Sequence, residues 1–193
     1  MVANISLGYV AYNLALNAET NIIYVVGCHQ EGLACDSMVS LFNGTSRAVA
    51  LTVSLNSLYG PTMNYDPTTN VVYVSGEAEL VALNGTNGNE IFQVNPDTCG
   101  PFVDMVVIPS LDQLLVVPSA SDYLLVYDGT SGALVNMYSY QSSSLLSSVV
   151  YDPVTHEIYL TDYSGQFLAF PDFNVLGHVN ATLIGSGESC LPP

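Results

Sequence analysis

The feature that most constrains this 193-residue chain is a turn that keeps returning. Asn43-Gly44-Thr45, Asn84-Gly85-Thr86 and Asp128-Gly129-Thr130 each close an apolar run, and a decayed copy stands at Asp172, giving intervals of 41, 44 and 44 residues. Self-similarity at that period, in segments that read as strands alone, predicts an all-β protein: a β-propeller of four-stranded antiparallel blades, with the four visible repeats standing alone or as part of a longer array. The predicted repeats run approximately 9–58, 59–100, 101–144 and 145–187 within a single domain, with residues 1–8 left over as a strand of another blade.

Each repeat punctuates its strands with residues suited to turns. In Tyr65-Asp66-Pro67-Thr68-Thr69 and Tyr151-Asp152-Pro153-Val154-Thr155, proline presets φ and the preceding aspartate bonds the backbone two residues on, which predicts a tight hairpin. Second strands follow at Ile22–Val26, Val71–Val74, Leu114–Val117 and Ile158–Leu160, β-branched or aromatic runs expected to be buried on both faces. Third strands are expected at Met38–Phe42, Glu79–Leu83, Tyr123–Tyr127 and Gln166–Phe170. Fourth strands are expected at Ala48–Val53, Glu90–Val94, Leu134–Tyr138 and Val175–Ile184. No segment carries helical apolar spacing with caps.

The combination D-P-x-T-N-x-V-Y-V, a strand, and then an N-G-T or D-G-T-S-G turn resembles the YVTN-type β-propeller repeat of archaeal and bacterial surface-layer and secreted proteins. It appears as Asp66-Pro67-Thr68-Thr69-Asn70-Val71-Val72-Tyr73-Val74 with Asn84-Gly85-Thr86, and again as Asp152-Pro153-Val154-Thr155-His156-Glu157-Ile158-Tyr159-Leu160. The first repeat departs from it with Asn17-Ala18-Glu19-Thr20-Asn21, and the third keeps only Pro109. The resemblance implies a propeller and an extracytoplasmic address, and implies no catalytic residues.

Charge sharpens that picture. Charged residues make up 9% of the chain, against about a quarter of an ordinary soluble domain. Arg47 is the one residue that is Lys or Arg, against 17 Asp and Glu, for a net charge of −16. The carboxylates are not in excess; the cations are missing. Two explanations stand: acidic surroundings, in which neutralised carboxylates leave little charge to repel, or drift in a secreted protein that avoids cleavage after basic residues. Either way, the charge argues strongly against nucleic acid and disfavours anionic membrane surfaces as partners, because both are bound through Lys and Arg. No apolar stretch is long enough to span a bilayer.

Four sequons, at Asn4, Asn43, Asn84 and Asn180, mark candidate glycosylation sites, two of them in the same hairpin turn of consecutive repeats. Four cysteines accompany them. The spacing of Cys28 and Cys35 suits a disulfide that staples a loop, with a metal site using Cys28, His29, Glu31 and Cys35 as the alternative. Cys99 and Cys190 stand at matching junctions two repeats apart, to pair with each other or with cysteines elsewhere. Asp66 and Asp152 read as turn residues rather than metal ligands, and the recurring Tyr24, Tyr73 and Tyr159 as core residues with a polar tip rather than a sugar-stacking surface. His156 and His178 adjoin no recognisable nucleophile.

The terminal segments are also informative. Residues 2–8 resemble residues 179–185, and Glu188-Ser189-Cys190-Leu191-Pro192 resembles Asp97-Thr98-Cys99-Gly100-Pro101. This favours a longer array, or a strand exchanged between subunits, over a closed four-blade ring. The function expected from all these features is an extracellular, glycosylated, structural or adhesive surface protein. It would associate with itself or with other surface proteins in an envelope layer or filament, with no cofactor and no catalysis. The alternatives are a propeller that binds peptide or glycan through loop residues such as Tyr59 and Tyr163, and an enzyme with a site in the central funnel.

Overall fold

The computed structural model describes residues 4–31, 34–55, 61–76, 79–95, 101–119, 121, 123–139 and 144–171, the side chains of 30, 31, 34, 35 and 139 excepted. Fifteen antiparallel strands form four sheets among these residues. The first sheet holds β1 (Val10–Asn17), β2 (Ile22–Glu31), β3 (Ala34–Asn43) and β4 (Val49–Leu55). The second holds β5 (Thr62–Asp66), β6 (Val71–Ser75), β7 (Leu80–Asn84) and β8 (Glu90–Val94). The third holds β9 (Phe102–Ile108), β10 (Gln113–Pro118), β11 (Tyr123–Asp128) and β12 (Leu134–Ser139). The fourth holds β13 (Leu146–Asp152), β14 (Glu157–Asp162) and β15 (Phe167–Pro171). In every sheet spatial order equals chain order, as short hairpin turns dictate. The strand expected over 175–184 lies outside the described residues. Residues 4–7 carry no strand, and β1 begins at Val10.

The chain divides into two compact units, residues 1–93 and 94–193. Within the first, the core is made of one face from each of two sheets. Tyr24, Val26, Val39 and Leu41 of β2 and β3 meet Val72, Val74, Val81 and Leu83 of β6 and β7. Because side chains alternate across a strand, these residues define a front face on the first sheet and a back face on the second. The second unit repeats the arrangement. Leu115, Val117, Leu124 and Val126 from the front of the third sheet cluster with Val149, Tyr151, Ile158 and Leu160 from the back of the fourth.

First strands draw together more closely than the rest. Cα atoms of β1 come within 8 Å of β5, and those of β9 within 8 Å of β13, inside the roughly 10 Å that separates flat stacked sheets. One polar link repeats at this seam. Asn13 Nδ2 donates to Thr62 Oγ1 (3.2 Å) in the first unit, and in the second Ser148 Oγ donates to Asp104 Oδ2. Counted from the turn that follows each first strand, these four residues occupy the same position.

Burial departs from expectation in two of the four second strands. β6 is buried at every residue and β10 at all but its first. By contrast β14 alternates, and Ile23 and Val25 of β2 are only half-buried. The same residue types therefore sit in two environments, according to whether the face they point from is covered.

Candidate functional site

The recurring N-G-T turn is one half of a clasp. Its other half is the residue that ends the preceding hairpin: Asn21, Asn70 and Asp112, each with φ between 50° and 56°, in the left-handed region that Asn and Asp tolerate best. The glycine N–H of each turn donates to that residue's carbonyl: Gly44 to Asn21 (2.8 Å), Gly85 to Asn70 (2.8 Å) and Gly129 to Asp112 (2.7 Å). Side chains complete the clasp. Asn21 Nδ2 donates to Thr45 Oγ1 (2.9 Å) and Asn70 Nδ2 to Thr86 Oγ1 (2.9 Å). Where the third repeat has aspartate, the bond reverses and Thr130 Oγ1 donates to Asp112 Oδ2 (2.7 Å). His156 holds the equivalent left-handed position in the fourth repeat, φ 58°, with Nδ1 2.9 Å from the Tyr151 hydroxyl.

The space in the clasp explains its glycine. A Cβ on Gly44 would lie 2.3 Å from Asn21 Oδ1, and one on Gly85 2.4 Å from Asn70 Oδ1. At the far end of each turn the chain again enters the left-handed region, with glycine at Gly88 and Gly132 but Arg47 (φ 58°) in the first repeat. The lone cationic side chain thus occupies a backbone position that costs any residue with a Cβ about 1 kcal/mol.

The second turn is more than a hairpin tip, because it receives the neighbouring sheet. Tyr24, 1% exposed, donates its hydroxyl to the Gly85 carbonyl (2.8 Å), and its ring lies 5.4 Å from that of Tyr65. Asn17 Nδ2 donates to Asn70 Oδ1 (3.2 Å) across the same seam. The first sheet is therefore bolted to the clasp of the second. Burial raises the Tyr24 pKa, and that of Tyr65 to about 12, so both hydroxyls remain protonated donors throughout the physiological range.

The singled-out aspartates serve their turns. Asp66 Oδ1 accepts from Thr68 N–H (2.7 Å) and Oδ2 from the Thr69 hydroxyl (2.9 Å), while Asp152 Oδ1 accepts from Val154 N–H (2.8 Å). The Val154 bond leads the causes that hold the Asp152 carboxyl below its usual pKa; for Asp128 the leading cause is the Ser131 hydroxyl. Among the described residues no three His, Cys, Asp or Glu are grouped to hold a metal ion.

Cys28 is fully buried and disulfide-bonded. β2 and β3 pair so that Cys28 faces Ser37 and Gln30 faces Cys35, which brings the backbones of the two cysteines one diagonal step apart. The Cys35 side chain, Cys99 and Cys190 lie outside the described residues. Asn4 and Asn43 are exposed and Asn84 is half-buried, while Asn180 lies outside the described residues. In both described turns the sequon asparagine uses Oδ1 to accept from the two N–H groups ahead of it: Asn43 from Thr45 (3.0 Å) and Ser46 (2.9 Å), Asn84 from Thr86 (2.9 Å) and Asn87 (3.2 Å). The turn bonds thus engage Oδ1 rather than Nδ2, the atom to which an N-glycan attaches. Of the loop tyrosines, Tyr163 is 68% exposed, and Tyr59 lies outside the described residues.

Sequence reasoning did not find Asn17, Asn21, Asn70 and Asp112, nor the partner of the Tyr24 hydroxyl. The signal was present: an Asn or Asp before each of the first three second strands, followed 16 to 24 residues later by the threonine of the turn. Compared with known proteins, the chain matches no family model and no curated protein.

Proposed function

We propose that this chain is a non-catalytic structural component of an extracellular surface or filament, built on propeller-type blades and carrying N-linked glycans on its hairpin turns. The observation that carries this reading is the use made of the recurring polar residues. Asn17, Asn21, Tyr24, Asn70 and the N-G-T turns bond sheet to turn and sheet to sheet, so the residues that the repeat preserves are fasteners.

Three further features support it. First strands lie closer than flat stacked sheets would allow, as blades converging on an axis require. Cys28 is oxidised, which suits a compartment outside the reducing cytosol. Asn43 presents a sequon at an exposed, rigidly bonded turn, where a glycan would supply hydration that a surface with so few charges lacks. The resemblance to YVTN-type repeats points the same way.

The test is to isolate the protein from its native source and map its peptides by mass spectrometry. The expected result is material in the envelope or extracellular fraction, with glycan mass on the peptides containing Asn43 and Asn84. Unglycosylated protein confined to the cytosolic fraction would overturn the proposal.

A further inference from the structure

Both units obey one packing rule: the front of a sheet covers the back of the next. Two other faces carry large apolar side chains that are exposed. On the back of the first sheet, Leu14 is 66% and Leu16 54% exposed, whereas Met63 and Val149, the counterparts of Leu14 in the second and fourth sheets, are each 5% exposed. On the front of the fourth sheet, Val150 is 55% and Phe167 68% exposed, whereas Val39, which pairs with β2 as Phe167 pairs with β14, is fully buried. Tyr159 corresponds to Tyr24 and Tyr73, each 1% exposed, yet is itself only half-buried. Among the described residues no turn of a neighbouring sheet receives it; its hydroxyl donates to Glu157 on its own strand and its ring stacks on Phe167 at 5.4 Å.

One exposed face is thus a front lacking a back, and the other a back lacking a front. We infer that a second copy of this chain supplies each: the front of the fourth sheet of one copy packs on the back of the first sheet of the next. This deepens the structural reading above and rests on it. The occupant is a further copy because the interface already exists within the chain, formed once in each unit by the same strand positions, and the two uncovered faces are its two halves.

The equivalence assigns the contacts. Tyr24 meets Tyr65 and donates to Gly85, so Tyr159 meets Leu16 of the next copy, the counterpart of Tyr65, and donates to its Gly44 carbonyl. Val150 and Phe167 fall on the apolar surface around Leu14. Only the outer rim fits less closely, since Arg47 replaces a glycine there: a Cβ on its counterpart Gly88 would already lie 2.7 Å from Leu51 of the preceding sheet. Such a head-to-tail contact is heterologous, and generates a ring or an open filament rather than a two-fold dimer.

The test uses the full chain and two variants at exposed positions, Leu14→Glu on the back face and Phe167→Glu on the front face. Circular dichroism and thermal unfolding establish that each remains folded, and light scattering after size exclusion reads the assembly. The wild-type chain is expected to form oligomers whose size grows with concentration, and each variant alone to be monomeric. An equimolar mixture is expected to give a 1:1 heterodimer, because one intact front and one intact back remain. Tyr159→Phe, which keeps the ring, is expected to weaken association about fivefold through loss of one hydrogen bond. A wild-type chain monomeric at all concentrations, assembly that survives in either glutamate variant, or a mixture that stays monomeric would each overturn the interface. These outcomes are independent of the peptide map, so a glycosylated envelope protein that fails the mixing test loses this interface and keeps its structural role.

Discussion

Gly85→Ala isolates the bond between consecutive sheets. The added Cβ would sit 2.4 Å from Asn70 Oδ1, 2.8 Å from the Asn70 backbone oxygen and 2.8 Å from the Tyr24 hydroxyl. A side-chain rotation cannot relieve the backbone contact, so the turn must shift, and overpacking of this kind costs about 1 to 3 kcal/mol. The shift also loosens the Tyr24 to Gly85 and Asn70 to Thr86 bonds, at about 1 kcal/mol each. The expected loss is about 3 to 5 kcal/mol. Gly44→Ala is the matched control: the three atoms nearest its Cβ all belong to the Asn21 side chain, at 2.3 to 3.0 Å. That side chain can turn away at the expense of one exposed bond, so the expected loss is about 1 kcal/mol. Neither glycine has a positive φ, and the comparison therefore reads space and not backbone strain. Urea unfolding followed by circular dichroism and tyrosine fluorescence would measure both. Equal losses in the two variants, or a Gly85→Ala protein within about 0.5 kcal/mol of wild type, a change typical of neutral surface sites, would refute the role assigned to the second turn.

Three further outcomes are expected. Arg47→Gly should raise stability by about 1 kcal/mol by relieving the left-handed conformation that Gly88 and Gly132 adopt without strain; unchanged stability in urea melts would argue against strain there. The depressed carboxyls of Asp128 and Asp152 contribute stability that is present above the unfolded pKa, about 3.9, and lost as pH falls through their lower folded values. Thermal melts across pH should therefore show a decline beginning below about pH 4, flattened in Asp152→Asn. That decline should stop short of acid unfolding, because full protonation leaves one arginine and three histidines as the charged side chains. Non-reducing peptide mapping should find Cys28 joined to Cys35, with reduction lowering stability by about 2 kcal/mol, as expected for so short a loop; any other partner for Cys28 would displace the staple reading.

The strands were legible because their chemistry is local. Val71-Val72-Tyr73-Val74 cannot be read as an amphipathic helix, and Asp66-Pro67 and Asn84-Gly85 mark the turns that bound it. Sheet order followed from the short hairpins. The clasp was not legible, because Asn70 and Thr86 are joined only once β6 and β7 have paired and brought the two turns together. Nor was the contrast between Tyr73 and Tyr159 legible. They occupy the same position in the same motif, yet Tyr73 is buried and Tyr159 only half-buried, a difference that the local sequence does not carry. Of the candidate site residues, Asp66 and Asp152 were readable because an Asp-Pro turn bonds within itself. The hydroxyl of Tyr24 was not, because its partner lies 61 residues away.

A crystal structure at side-chain resolution would test most directly the claim that the two sheets of each unit stack front on back and converge at their first strands. The account predicts β1 and β5 closer than about 10 Å, β4 and β8 farther apart, and the Tyr24 hydroxyl on the Gly85 carbonyl. A uniform separation of about 10 Å across all four strands, or a Tyr24 hydroxyl bonded within its own sheet, would contradict it.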